Sequence, residues 1–582
     1  MKSTRILTAG LLLLLAGSFA GSGAVAAQRQ PGQIDKTPPA QQDEGMFIET
    51  VQVSVVNVDV FVTDKSGNRI KGLTKNDFEI FENGKNVAIT NFYAVEGGKA
   101  AMVGDAPAPA ADAKKPGPPE RQVLPLPEDQ RLRLIVYIDN FNLHPFNRNR
   151  VMRELRVFLS QKLNRDDQVM LVSYDRSLKV RRPFTSDPDL INTALLELEK
   201  VSAQAVHADS ERRDALRNIE ESKSPTQALG YARNYAESTF NDLSFSIDAL
   251  KEMVNSLAGM PGRKAVLYVS DGLQMIAGQD VFYAVQSKYS EQATGLTEAM
   301  QFDASRRFTE LTNQANANRV TFYTIDAAGL RVYSSISAEN ATAGQGVYVD
   351  SIQISNLQSP LQMLAEKTGG VAIINANQVT AHLDRIAQDF GTYYSLGYSP
   401  THYGDGRYYK IEVKLKKKQK GLLVRHREGY RDKSAESRMT DGTLAVLNFP
   451  FEDNKFDLEL EFGTMTPRED GHVLVEVLIR IPLGKLVLVP REQNHEARVR
   501  LYIAAMDSDG GTSDVQQVQL PISIPAGEVQ AAMGKHYAYS VNLLMRGGDQ
   551  KVAVGVRDDV AGESSFVSRA LRVGTRVSSS GQ

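Results

Sequence analysis

The chain of 582 residues contains no cysteine. That absence excludes disulfides, thiol catalysis, thiolate metal sites and a lipidated N-terminal cysteine, so each domain must be held by its own core. Tryptophan is missing as well, an absence with no physical consequence we can name. Neither sign of charge is in excess: 67 basic residues face 69 acidic ones, for a net charge of -2. Such a balance supplies no long-range pull on nucleic acid or anionic lipid, and no nucleic-acid partner is expected. Long apolar runs are scarce too. Beyond the first 27 residues no stretch approaches the roughly 18 apolar residues that a membrane helix needs. No transmembrane segment is therefore expected once the N-terminus is removed.

What is present begins with a targeting pattern. Lys2 and Arg5 precede an apolar run from Ile6 to Phe19, and the small residues Ala24, Val25, Ala26 and Ala27 follow. This reads as a signal peptide over 1–27 with an A-x-A-like cleavage site, an uncleaved anchor being the alternative. The expected location is the periplasm or the extracellular space. The length allows about three or four domains.

Residues 28–47 are polar and rich in Gln and Pro, a disordered lead-in. Residues 48–98 read as a small β-rich domain: Val51, Val53 and Val55 alternate with polar neighbours, and Val58, Val60 and Val62 do so after a change of phase. Asn83-Gly84 between two apolar runs predicts a type I′ hairpin. A Pro/Ala-rich linker covers 99–130. From 131 to 392 strands and helices alternate. The apolar runs at 132–138, 169–174, 265–269 and 320–325 are separated by segments of helical period, which argues for a mostly parallel sheet covered on both faces. One polar stretch, 201–237, interrupts this order with mixed charge such as Asp209, Glu211, Arg212 and Asp214. It reads as a solvated helical insertion, with a partner-binding arm as the alternative.

Residues 393–432 predict a β-hairpin extension whose basic run, Lys416, Lys417, Lys418 and Lys420, is a hairpin tip or a polyanion site. Short alternating strands then recur at intervals of roughly 8–12 residues over 440–575, as in an immunoglobulin- or fibronectin-type sandwich. Asp507-Ser508-Asp509-Gly510 in that domain reads as a β-turn, the alternative being a calcium loop without the spacing of one.

Several strings recur in a recognisable order. They are Phe61-Val62-Thr63-Asp64-Lys65-Ser66-Gly67, Leu73 to Ile80, Leu134 to Asp139, Val269-Ser270-Asp271-Gly272, Tyr323 to Leu330, and Tyr393 to Pro400. Together they resemble the acidobacterial-type family of von Willebrand factor A-related proteins over about residues 48–430. The resemblance implies a Rossmann-like α/β von Willebrand factor A domain, and the strand alternation on either side of it adds β-rich, sandwich-like N- and C-terminal domains, the last lying outside the resemblance. It also implies an exported, non-enzymatic protein, in a family tied to no defined ligand.

Such domains often carry a metal-ion-dependent adhesion site in which two carboxylates and hydroxyl oxygens hold Mg²⁺ or another divalent cation, a hard ion that prefers oxygen. Asp139 and Asp271 match the carboxylates. The two serine positions hold Phe141 and Leu143, which offer no oxygen. Asn142 is a substitute ligand, with Asn140 and His144 nearby, and Thr239 stands for the family's threonine. The set Asp139, Asn142, Thr239 and Asp271 is thus a degraded site from which weak cation binding at best is expected. No G-x-S-x-G, H-E-x-x-H, Walker or G-x-G-x-x-G motif occurs. The expectation is a protein-binding or adhesion module and not an enzyme; the alternatives are a scaffold component of a cell-envelope assembly and, last, a hydrolase.

Overall fold

The computed structural model describes residues 55–97, 99–102, 123–124, 131–162, 167–290, 294–331, 345–416, 421–449, 451 and 453–574. The signal peptide, the lead-in 28–47, most of the linker 99–130, and Lys417, Lys418 and Lys420 lie outside them. The described residues fall into two compact units, one within Ser54–Pro450 and one within Phe451–Gln582.

The first unit opens with β1 (Val56–Thr63), β2 (Phe78–Glu82), β3 (Lys85–Val87), β4 (Asn91–Glu96), β5 (Lys99–Met102) and β6 (Val123–Leu124). In β1 the alternating Val58, Val60 and Val62 point inward and are buried. Asn83 and Gly84 join β2 to β3 with φ of 47° and 81°, the two left-handed residues that a type I′ turn requires.

The α/β region follows as β7 (Leu132–Ile138), α1 (Pro145–Lys162), β8 (Gln168–Tyr174), β9 (Leu178–Thr185), α2 (Pro188–Glu199), α3 (Ala205–Glu221), α4 (Pro225–Ser256), β10 (Arg263–Ser270), α5 (Gln279–Tyr289), α6 (Gly295–Ala299), α7 (Ser305–Ala317), β11 (Val320–Asp326), α8 (Gln345–Thr368), β12 (Ala372–Ile373) and α9 (Thr380–Gly391). The sheet order is β12-β11-β10-β7-β8-β9, parallel except for the β8–β9 hairpin. Every residue of β7 and of β10 is buried, which is why both carry long apolar runs, interrupted in β7 only by Arg133 and preceded in β10 by Arg263 and Lys264. Leu134, Val136 and Ile138 pack on Val151 and Leu155 of α1, Leu195 of α2 and Ile386 of α9. On the opposite face Thr324 donates to the Leu361 carbonyl of α8 at 2.8 Å.

The segment 201–237 is helical, with one face exposed to solvent and the other packed on the domain. It contains α3 and the first part of α4, a 32-residue helix started by a Ser224 cap and Pro225. Ala215, Ile219, Ala228, Ala232 and Ala236 form a buried core with Val281, Phe282 and Val285 of α5. Alanines let the helices approach closely, so burial here needs few large side chains.

The rest of the unit is β13 (Tyr393–Tyr398), β14 (Tyr408–Leu415), β15 (Leu423–Arg425), β16 (Gly429–Arg431) and α10 (Ala435–Asn448). These strands complete the N-terminal ones and do not form a separate hairpin extension. β13 lies between β1 and β4, β14 pairs with β2, and β15 with β1. Val58, Val60, Phe78 and Ile80 thereby share one core with Leu396, Tyr398, Ile411 and Val413. The α/β region is threaded between two halves of a single β body.

The second unit contains β17 (Glu459–Pro467), β18 (Val473–Pro482), β19 (Val489–Arg491), β20 (Asn494–Asp507), β21 (Gln516–Pro525), α11 (Val529–Ala532), β22 (His536–Met545), β23 (Gly548–Asp558) and β24 (Ser564–Val573). One sheet is β17-β18-β22; the other runs β19-β20-β23-β24 with β21 also on β20. Val475, Val477 and Ile479 of the first share a core with Val499, Leu501 and Val554 of the second. The Asp507 carboxylate accepts from the backbone of Asp509 at 3.1 Å and Gly511 at 2.8 Å, which makes 507–510 a turn.

Candidate functional site

Parallel strands direct the residues that follow them to one edge of the sheet. Asp139 leaves β7 there and Asp271 leaves the neighbouring β10. The Asp139 amide donates to the Val269 carbonyl at 3.0 Å, and the Asp271 amide to the Asn142 carbonyl at 3.2 Å. Asp139, Asn142 and Asp271 are thus brought together, as the sequence suggests.

Their oxygens are already engaged. Oδ2 of Asp139 accepts from the Tyr268 hydroxyl at 2.5 Å, from Asn142 Nδ2 at 2.9 Å and from Ser270 Oγ at 3.1 Å. The carboxyl is 1% exposed, and burial pushes its pKa above the ordinary aspartate value against the pull of these donors. Asn142 therefore serves as a donor to Asp139. Phe141 stands edge-on to Tyr174 with Arg176 over its ring, and Leu143 is fully buried.

Asp271 is held by the start of α1. Its Oδ2 accepts from the His144 amide at 2.8 Å, from His144 Nδ1 at 2.6 Å and from Asn147 Nδ2 at 3.0 Å. The other imidazole nitrogen meets Asp209 Oδ2 of α3 at 2.8 Å. Hydrogen bonds to Asp209 and then to Asp271 push the His144 pKa up to about 10, so at neutral pH the ring is an imidazolium donating from both nitrogens. Arg331 adds a second cation: it donates to the Asp271 carbonyl and, at 3.0 Å, to Asp326.

A cavity of ≈ 140 Å³ lies above these groups, lined by Asn142, His144, Asp209, Thr239, Asp271 and Gln274 among others. Asp139 does not line it. Thr239 does, and so does Tyr235, whose pKa is pushed up to about 12 by burial. α3 roofs the cavity, fastened by Arg212 Nε to Asp280 at 2.6 Å and by Asp209 to His144.

This donor set does not fit a hard divalent cation. Of the two carboxylates, only Asp271 Oδ1 is buried without a partner. The hydroxyl positions are hydrocarbon, and an imidazolium occupies the outer side of Asp271, where a cation would compete with it. A different group, His402, Asp405 and Asp432, brings ligand atoms within 4.8 Å of one another in the β body. There His402 Nδ1 meets Asp432 at 2.9 Å and Nε2 meets Glu82 at 3.1 Å, an imidazole between two carboxylates.

Asn147, Asp209, Arg212, Tyr268 and Arg331 are members of the site that sequence reasoning did not single out as such. The run Asn140-Phe141-Asn142-Leu143-His144-Pro145-Phe146-Asn147 places three Asn and one His between the end of β7 and the start of α1, the local signal for His144 and Asn147. Nothing local marks Asp209, which lies 65 positions from its partner.

No family model and no curated protein matches the chain in sequence. Among solved structures, an aerotolerance-related membrane protein from Bacteroides fragilis is similar at 12% identity and a TM-score of 0.21, over 44% of this chain and 98% of its own. Proximal thread matrix protein 1 from the mussel byssus, solved with a zinc-occupied MIDAS motif, is similar at 10% identity and 0.21, over 47% and 48%. A von Willebrand factor type A protein from Catenulispora acidiphila is similar at 11% identity and 0.20, over 85% of this chain and 72% of that one. Likenesses at this level carry no argument about activity, cation or partner.

Proposed function

We propose that the chain is an exported von Willebrand factor A-type protein that binds other proteins without a bound cation, and that it is not an enzyme. The reading of 440–575 as an immunoglobulin- or fibronectin-type sandwich belongs to the same proposal. The observation that carries it is the His144 imidazolium seated between Asp271 and Asp209 at 2.6 and 2.8 Å. His144 supplies a side-chain cation to Asp271, one of the two carboxylates on which the family reading places a metal ion, so that carboxylate is balanced without one. The same contacts weigh against a hydrolase, since both nitrogens of the cavity's central histidine are committed to carboxylates and neither can serve a nucleophile. The test is capture of partners from envelope extracts by the mature protein, with and without a chelator, alongside titration of the protein with Mg²⁺, Mn²⁺ and Ca²⁺. The expected result is one partner set in both captures and flat titrations. Micromolar binding lost in Asp139→Ala and Asp271→Ala, or partners lost to the chelator, would overturn the proposal.

A second reading is favoured by the α3 roof, which covers the edge a partner would use. In it the chain is a scaffold component of an envelope assembly and the second unit makes the contacts. Partners retained by residues 451–574 alone would favour this reading; partners that need 54–450 would favour the first.

A further inference from the structure

The opposite edge of the α/β sheet, where its strands begin, gathers cations faster than anions. β10 starts with Arg263 and Lys264, β11 is preceded by Arg319, and Arg427 arrives from the loop between β15 and β16. All four line one cavity of ≈ 30 Å³, and Asp59 of β1 is the one carboxylate among its lining residues.

Arg263 is balanced. Its Nε donates to Asp59 at 2.9 Å, Nη1 to the Phe390 carbonyl at 3.1 Å, and the guanidinium lies 3.7 Å from the centre of the Tyr393 ring. The other three are not. Lys264 is 4% exposed, and its ammonium has one acceptor, the Met260 carbonyl at 2.8 Å. Arg427 donates to two neutral carbonyls, Asn316 at 3.1 Å and Asn57 at 2.8 Å. The Arg319 guanidinium, half-buried, makes no hydrogen bond or ion pair among the described residues, and Asp59 Oδ1 is buried without a partner. The neighbouring carboxylate, Asp389, is shared between Arg69 and Arg425. Lys433, which also acts on Lys264, is closed on Asp441 at 2.6 Å.

Burying an ion without a counter-ion costs several kcal/mol, and water can solvate such a group but cannot neutralise it. We propose that this cavity binds a small inorganic anion between Lys264, Arg319 and Arg427, the missing countercharge at the lower edge of the sheet. The volume supports that class of ligand. About 10–15 Å³ of such space holds one water, so the cavity has room for a halide or a tetrahedral oxyanion and none for a nucleotide or a peptide. In agreement, burial and then Arg319 depress the Lys264 ammonium well below its ordinary value, and the same two causes bring Arg427 down to about 10. The anion would join β10 and β11 of the α/β sheet to β1 and the β15–β16 loop of the β body, fastening the two parts to each other.

The test is calorimetric titration of the full chain with sodium chloride, sulfate and phosphate, at an ionic strength held constant with gluconate, which is too large for the cavity. Saturable binding of chloride alone identifies a halide site and of sulfate or phosphate an oxyanion site; either upholds the proposal. Arg319 has φ of 55°, so Arg319→Asn removes the charge while keeping a residue that tolerates that backbone. Affinity should fall about tenfold, the equivalent of one lost charge-assisted hydrogen bond. Asp59→Asn, read as affinity and not as stability, should tighten binding several-fold by removing the competing carboxylate. Heats no different from those of gluconate, or saturation unchanged in both variants, would overturn the proposal.

Discussion

His144 is held by two carboxylates of different kinds. Asp271 is 6% exposed, at the end of β10, whereas the Asp209 side chain is 54% exposed on α3. Replacing His144 with Gln removes the imidazolium and leaves the buried Asp271 with weaker partners. The expected loss of stability is about 1–3 kcal/mol, the range for a buried acceptor deprived of its donor. The pH dependence has a definite sign. The folded state raises the His144 pKa from 6.5 to about 10, so it binds the proton more tightly than the unfolded chain does. The contribution is therefore complete below about pH 6.5 and fades as pH rises toward 10. Urea unfolding of wild type and His144→Gln at about pH 6 and pH 10 should show a gap that closes at the higher pH. A gap of equal size at both would mean that the ring is neutral in the fold.

At the scale of elements, two glycines distinguish close packing from open helix surface. A Cβ on Gly259, in the loop after α4, would lie 2.2 Å from the Asp441 carbonyl oxygen of α10. Both partners are backbone, so Gly259→Ala forces α10 away and should destabilise the first unit by about 1–3 kcal/mol. Gly230 sits inside α4 with nothing within 4 Å of its would-be Cβ. There Gly230→Ala should be neutral or stabilise by about 0.5–1 kcal/mol through helix propensity. Denaturant midpoints of the two variants moving in opposite directions would place α10 against the α/β region in solution; equal and small shifts would remove it. The sequence pattern sets about 440 as the start of the last domain. The helix at Ala435–Asn448 instead packs beside the loop before β10, a long-range contact that no local period could announce.

At the scale of the whole molecule, the interleaving of the β body has a direct consequence. β1 takes β13 and β15 as neighbours, and β2 takes β14, so residues 48–98 lack most of their sheet partners when cut from the chain. The isolated 48–98 fragment should be unfolded, because a few strands without a second layer bury too little apolar surface to offset chain entropy. Amide dispersion in a proton–nitrogen correlation spectrum decides it: narrow dispersion is expected, and a well-spread spectrum would show that the N-terminal strands fold alone. The same spectrum of residues 451–574, which have both of their sheets, should be well spread.

The sequence by itself determined the local features: the nearly continuous apolar strands β7 and β10, the Asn83-Gly84 turn, and the placing of Asp139 and Asp271 at one sheet edge. Each follows from side-chain period, backbone freedom or the parallel connection, all of which act within a few residues or within one βαβ step. It also showed what the edge lacks, since Phe141 and Leu143 carry no oxygen wherever the chain goes. Only the tertiary structure decided what replaces it. His144 meets Asp209, Arg319 comes to line a cavity with Lys264 and Arg427, and Tyr398 shares a core with Val58, all through contacts between segments far apart in the chain. Pairings of that range are set by which apolar faces must close on each other. The charged groups are carried along to wherever that closure leaves them.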